Sequence, residues 1–123
     1  MNVIPIACNL GVFSTHERTH HQKLRSRVSA DVIRVDEQQD GYEVHYAART
    51  GTWMTVAEFV SLESRCCPFL NFELRLSADR GESLRVWGGE GVKQFLSAEI
   101  GKGRSAEYQV DVSPRPSSGN AGT

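Results

Sequence analysis

The segment Phe59–Phe69 constrains the fold most, because it indicates a helix whose end can be placed in advance. Apolar residues at helical spacing lead up to the adjacent cysteines Cys66 and Cys67, and Pro68 follows directly. Proline has no amide hydrogen to donate within a helix, and it disfavours helical geometry at the preceding residue. We therefore predict an amphipathic helix that ends at the two cysteines and is followed by a strand.

The other apolar patterns predict the remaining elements. Helices are expected over Thr15–Ala30, with Ser14 and Glu17 as a capping box, from a cap at Thr52 or Thr55 to the cysteine pair, and over Glu90–Ile100. Strands are expected over Ile4–Leu10, Gly41–Arg49, Leu70–Leu76 and Leu84–Trp87. The predicted fold class is α+β, a small, mostly antiparallel sheet of about four strands with three helices, in the order β-α-β-α-β-β-α.

Length and composition restrict the classes of function. A chain of 123 residues predicts one globular domain over 1–100, with a flexible tail over 101–123 where Gly, Ser and Pro accumulate. The net charge of −1 argues against a nucleic-acid partner, and no apolar run is long enough for a membrane span. Without a signal peptide the predicted location is the cytoplasm, where three cysteines are expected to be thiols. The oligomeric state, including a homo-oligomer, stays open.

Three cysteines carry the predicted chemistry. Thiolates are preferred ligands of soft ions, here zinc, copper(I), mercury or arsenic(III), and Cys8, Cys66 and Cys67 could supply three. The sulfurs of the adjacent pair converge only if the chain leaves the helix there. Glu63, one turn before Cys67, is predicted to be an oxygen ligand or a proton acceptor. We therefore predict a soft-metal or metalloid site, in which Arg18 and Arg65 favour the thiolates.

Two other interpretations of the cysteines stay open. The protein could be a thiol-dependent enzyme or redox protein that uses Cys66 or Cys67, with Glu63 or Arg18 assisting. Alternatively, the cysteines fill the core of a structural or partner-binding domain, as buried cysteines often do.

A histidine cluster forms a second candidate. His16, Glu17 and His20 fit the pattern His-Glu-x-x-His, which holds zinc in one class of proteases. The helix is strongly polar, and no third ligand follows at a suitable spacing. We therefore predict that this face, including His21 and Arg25, is a solvated, basic helix surface.

Several segments together form a recognisable pattern: Ala7–Leu10, Glu17–Arg18, Asp40–Tyr42, Leu62–Leu74 and Gly89–Leu96. They resemble a family of small uncharacterised bacterial proteins with the motif E-x-x-C-C-P-F, here Glu63 to Phe69, over roughly residues 4–100. The resemblance implies that Cys8, Arg18, Glu63, Cys66 and Cys67 belong to one constellation. It implies no established activity, only an association with heavy-metal handling.

Overall fold

The computed structural model describes residues 6–47 and 51–103, which contain three helices and one sheet. The helices are α1 (Thr15–Ala30), α2 (Thr52–Cys66) and α3 (Val92–Gly103), and a short 3-10 helix covers Leu10–Val12. The strands are β1 (Val32–Glu37), β2 (Gly41–Tyr46), β3 (Asn71–Ser77) and β4 (Gly81–Trp87). The predicted class, α+β with a four-stranded antiparallel sheet and three helices, is confirmed.

The sheet consists of two hairpins that meet through β2 and β4, in the strand order β1-β2-β4-β3. All three pairings are antiparallel. Tyr42, Val44 and Tyr46 of β2 are buried on one face, whereas Glu43 and His45 alternate with them on the other. This alternation gives the sheet one apolar face for the core and one polar face.

The first strand lies later in the chain than predicted. Residues 6–10 of the predicted strand Ile4–Leu10 form no strand, and the segment Val32–Glu37 after α1 supplies the fourth strand instead. The amide of Asn9 donates to the carbonyl of Cys66 (2.8 Å), and its side chain accepts from the amide of Gly11 (3.0 Å). The segment therefore docks on the end of α2 instead of pairing with the sheet.

The two predicted helix starts have different outcomes. Ser14 caps α1 as predicted, since its hydroxyl accepts from the Glu17 amide (3.1 Å) while its own amide donates to Glu17 Oε1 (3.0 Å). At α2 the cap is Gly51, which has a φ of 90°. Thr52 does not cap the helix as predicted, because its hydroxyl donates to Asp31 Oδ2 (3.0 Å). Nor is Thr55, whose hydroxyl donates to the carbonyl of Gly51.

The remaining boundaries agree with the predictions to within a few residues. The helix α2 ends at Cys66 as expected from Pro68, and α3 continues to Gly103, three residues beyond the predicted end. Three predicted parts lie outside the described residues: the rest of the tail, 104–123, the end of one strand at 48–49 and the start of another at 4–5. Among the described helices, none combines the length and apolar character that a bilayer span would need.

Candidate metal centre

The last turn of α2 brings Glu63, Cys66 and Cys67 together at one end of the core. Cys67 leaves the helical conformation, with φ −126° and ψ 70°, although its amide still donates to the Glu63 carbonyl (2.8 Å). This departure lets the sulfurs of Cys66 and Cys67 approach to 3.6 Å. Both residues have no exposed surface. The predicted convergence of the two side chains at the helix end is therefore present.

Cys8 reaches the same place from the start of the chain and forms a disulfide with Cys67. The prediction of three free thiols is therefore wrong, and Cys66 is the free cysteine. The physical reason is the docking of the segment before α1 along the end of α2. It places the Cα atoms of Cys8 and Cys67 4.8 Å apart, within the usual range for a disulfide.

The carboxylate of Glu63 lies beside the two adjacent sulfurs. Its Oε1 is 3.8 Å from Cys66 Sγ, and its Oε2 is 3.7 Å from Cys67 Sγ. The residue is only 6% exposed, so its charge needs partners within the protein. Arg25 Nη2 lies 3.9 Å from Oε2 and also contacts Glu99 Oε1 at 3.0 Å. Glu63 therefore lies beside the cysteines, as the sequence predicts.

The closest partner of Glu63 is His21, which the sequence assigned to a solvated face. His21 Nε2 lies 2.7 Å from Glu63 Oε1, and the histidine is buried. The rings of Phe13 and Phe59 flank the imidazole at centroid distances of 5.1 and 5.4 Å. The spacing of His21 to Leu24 and Val28, three and seven residues along α1, indicates a shared inner face. That spacing is the signal that could have identified His21.

The His-Glu-x-x-His pattern forms no metal site in the described part of the chain, where neither His16 nor His20 belongs to a group of converging ligands. His16 is exposed, and His20 Nε2 pairs with Glu58 Oε2 at 2.7 Å. Besides capping α1, Glu17 accepts a hydrogen bond from Arg65 Nη1 (3.0 Å). The glutamate of the pattern is thus used to fix the start of the helix.

Arg18 and Arg65 support the segment that carries Cys8. Arg18 Nη2 donates to the carbonyl of Leu10 (3.2 Å), and Arg65 Nη2 donates to the carbonyl of Val12 (3.2 Å). Both contacts hold the short 3-10 helix that follows Cys8. Arg18 is therefore connected to the other residues of the predicted constellation through its contact with this segment.

The electrostatic environment keeps Cys66 protonated. Burial, and then the negative charge of Glu63, raise the pKa of its thiol to about 12, although Arg25 acts in the opposite direction. The predicted stabilisation of a thiolate by Arg18 and Arg65 is therefore overcome. Cys66 is a neutral thiol at neutral pH, and a ligand that needs the thiolate must displace its proton.

Three groups of side chains in the described residues could each hold an ion, with ligand atoms within 4.8 Å of one another. One is Cys8, Cys66 and Cys67, and another is His21, Glu63 and Cys66. The third, Asp36, Glu43 and His45, lies on the polar face of the sheet. There Arg34 already contacts Asp36 (3.1 Å) and His45 (3.1 Å), so its guanidinium supplies the positive charge next to these ligands.

No protein-family model, no curated protein and no solved structure matches the chain significantly. Fold and site together define a small α+β protein with a cluster of three cysteines, one glutamate and one histidine, of which only Cys8 is half-buried and the others are buried.

Proposed function

We propose that the reduced protein binds a soft metal or metalloid ion through the thiolates of Cys8, Cys66 and Cys67. Glu63 assists as an oxygen ligand or as the acceptor of a thiol proton. The observation that carries this proposal is the approach of all three sulfurs to within 4.8 Å of one another. We also propose that the chain belongs to the family suggested by the E-x-x-C-C-P-F motif and that it is located in the cytoplasm.

The distances suit an ion that takes three sulfur ligands. Metal–sulfur bonds of about 2.3 Å place three sulfurs around a trigonal ion at about 4 Å from one another. The sulfurs of Cys66 and Cys67 are 3.6 Å apart. Reduction breaks the bond between Cys8 and Cys67, and the sulfur of Cys8 must then move away from that of Cys67. The short distances between the three sulfurs support the proposal that such an ion binds here.

The disulfide makes this binding depend on the redox state. Two of the three proposed ligands are joined in the Cys8–Cys67 bond and are unable to bind an ion as thiolates. Reduction supplies both thiols. With arsenite the reaction is then a simple exchange, because three arsenic–oxygen bonds are replaced by three arsenic–sulfur bonds and the thiol protons leave in water.

The test is a titration of the protein after reduction with a phosphine, which supplies no competing thiol. Arsenite, mercury(II), copper(I) and zinc are added anaerobically, and thiolate charge-transfer absorption and calorimetry report binding. We expect one arsenite per chain. Cys8→Ser removes one of three arsenic–sulfur bonds, so affinity should fall at least about tenfold, or about 1.4 kcal/mol.

A matched control lies on the opposite face of the sheet. His45→Gln alters the third group of converging side chains and should leave the titration unchanged. Binding by the double variant Cys66→Ser/Cys67→Ser as tight as that of the unchanged protein would refute the proposal.

A second candidate function, a thiol-disulfide redox protein, rests on one observation. The free thiol of Cys66 lies 3.6 Å from the sulfur of Cys67, which is half of a disulfide. The raised pKa of Cys66 counts against it, because the thiolate is the attacking species. The burial of Cys66 and Cys67 also suits a purely structural role, which predicts equal stability with and without metal.

A further inference from the structure

His21, Glu63 and Cys66 form a second set of ligands that differs from the three cysteines in chemistry. It offers an imidazole nitrogen, a carboxylate oxygen and a sulfur, all within 4.8 Å of one another. None of the three takes part in the Cys8–Cys67 disulfide. This set is therefore complete in the oxidised protein, in which the three-sulfur site is not.

We propose that the oxidised protein binds a borderline divalent cation of the zinc class through His21 Nε2, Glu63 Oε1 and Cys66 Sγ. Zinc accepts nitrogen, oxygen and sulfur ligands in one tetrahedral site, and three protein ligands leave its fourth position for water. The site shares Cys66 and Glu63 with the proposed three-sulfur site, but it does not require that site to exist.

The distances require only small movements. Bonds of about 2.0 to 2.3 Å put tetrahedral ligand atoms roughly 3.3 to 3.7 Å apart. Cys66 Sγ and Glu63 Oε1 are 3.8 Å apart, whereas His21 Nε2 and Glu63 Oε1 are at 2.7 Å, the distance of a hydrogen bond. An ion would replace the hydrogen between nitrogen and oxygen and separate them by about 0.6 Å, while the imidazole keeps its proton on Nδ1 and the thiol proton of Cys66 leaves to water.

Charge balance suits the buried position. One carboxylate, one thiolate and a neutral imidazole compensate the two positive charges of the ion, so the occupied centre is neutral. A neutral centre avoids the cost of a buried net charge. Arg25, whose side chain is 26% exposed, contacts the other carboxylate oxygen of Glu63 and leaves Oε1 for the ion. Such outer contacts commonly orient the ligands of a metal.

Rings on both sides of His21 fix its orientation. Phe13 and Phe59 pack against the imidazole and restrict its rotation, so its Nε2 stays directed toward Glu63. A ligand that is already oriented loses less conformational freedom when it binds an ion. The oxidised protein would thus present only the mixed ligand set, whereas reduction adds the set of three sulfurs.

The experiment uses the oxidised protein, with the Cys8–Cys67 bond verified by mass spectrometry, and cobalt(II) as a spectroscopic probe for zinc. We expect one cobalt per chain with a sulfur-to-cobalt charge-transfer band and the visible bands of a tetrahedral ion, both displaced by zinc. Cys66→Ser should lose the charge-transfer band. His21→Gln, which can still donate to Glu63 and so supports folding, should weaken cobalt binding at least about tenfold.

The double variant Cys8→Ser/Cys67→Ser separates this proposal from the proposed function. It keeps His21, Glu63 and Cys66 but has a single cysteine, so cobalt binding should persist while tight arsenite binding disappears. His21→Gln should instead keep arsenite binding in the reduced protein while weakening cobalt binding in the oxidised protein. Absence of the cobalt bands in the oxidised protein, or bands that survive His21→Gln unchanged, would overturn the inference.

Discussion

His21 and Glu63 are separated by 42 residues in the chain, yet His21 Nε2 and Glu63 Oε1 lie 2.7 Å apart in the protein interior. The pair joins α1 to the end of α2 at the cysteine cluster. Because the carboxylate is only 6% exposed, its charge depends on this contact and on Arg25 for compensation.

Replacement of His21 should therefore be costly. We expect His21→Ala to lower the free energy of unfolding by about 3 kcal/mol, because it leaves a buried carboxylate without its closest partner. Urea unfolding measures the change. His20→Ala is the matched control, since its pair with Glu58 is exposed (43% and 56%) and should contribute less than about 1 kcal/mol. Equal effects of the two substitutions would contradict the role assigned to the buried pair.

Gly41 is required by the close approach of β2 to β4. A Cβ atom there would lie 2.7 Å from the Cα of Trp87 and would also collide with the carbonyl oxygen of Val86. Because both are backbone atoms of the paired strand, we expect Gly41→Ala to cost at least about 2 kcal/mol in thermal or urea unfolding. Gly89→Ala, with no atom within 4 Å of its Cβ, should stay within about 0.5 kcal/mol. A tolerated alanine at 41 would mean that the register of these strands is wrong.

The disulfide between Cys8 and Cys67 closes a loop across a sequence separation of 59 residues. The entropy that such a crosslink removes from the unfolded chain corresponds to about 4 kcal/mol. We expect reduction with a phosphine to lower the free energy of unfolding by about this amount. The stability of Cys8→Ser should be insensitive to the phosphine and close to that of the reduced protein. A change below about 1 kcal/mol on reduction would argue against a stabilising crosslink.

Cys66 should be a poor nucleophile in the oxidised protein, where it is the single free cysteine. Burial and then the charge of Glu63 raise its pKa, so alkylation should stay slow until the pH approaches about 12. Glu63→Gln removes the second cause and should shift the pH profile of alkylation downward. Glu58→Gln, an exposed change on the same helix, should not. A profile near that of an unburied thiol would instead favour the redox interpretation.

Local patterns predicted the part of the site that lies on one helix. Pro68 fixed the end of α2, and the spacing of four residues between Glu63 and Cys67 placed the carboxylate beside the sulfurs. These inferences needed only helix geometry, which repeats over a single turn.

The rest of the site depends on how distant segments meet. The disulfide needs the docking of residues 6–10 on the end of α2, and a strand pattern gave no sign of it. His21 lies among polar neighbours, so polarity placed it on the surface, although its spacing to Leu24 and Val28 indicated the inner face. A prediction from residue type alone fails most readily for polar residues that are buried with a hydrogen-bond partner, because polar residues are mostly exposed.

His45 should make stability depend on pH on the acidic side. Burial, and then the charge of Arg34, lower its pKa below the ordinary 6.5, although Glu43 and Asp36 act in the opposite direction. As the pH falls below 6.5, the unfolded chain therefore takes up the proton first. The free energy of unfolding should decrease by up to about 1.4 kcal/mol per pH unit until His45 is also protonated in the folded protein. Urea unfolding at several pH values measures the slope, and His45→Gln should remove this contribution. Parallel curves for the two proteins between pH 6.5 and the acidic transition would show that His45 does not contribute.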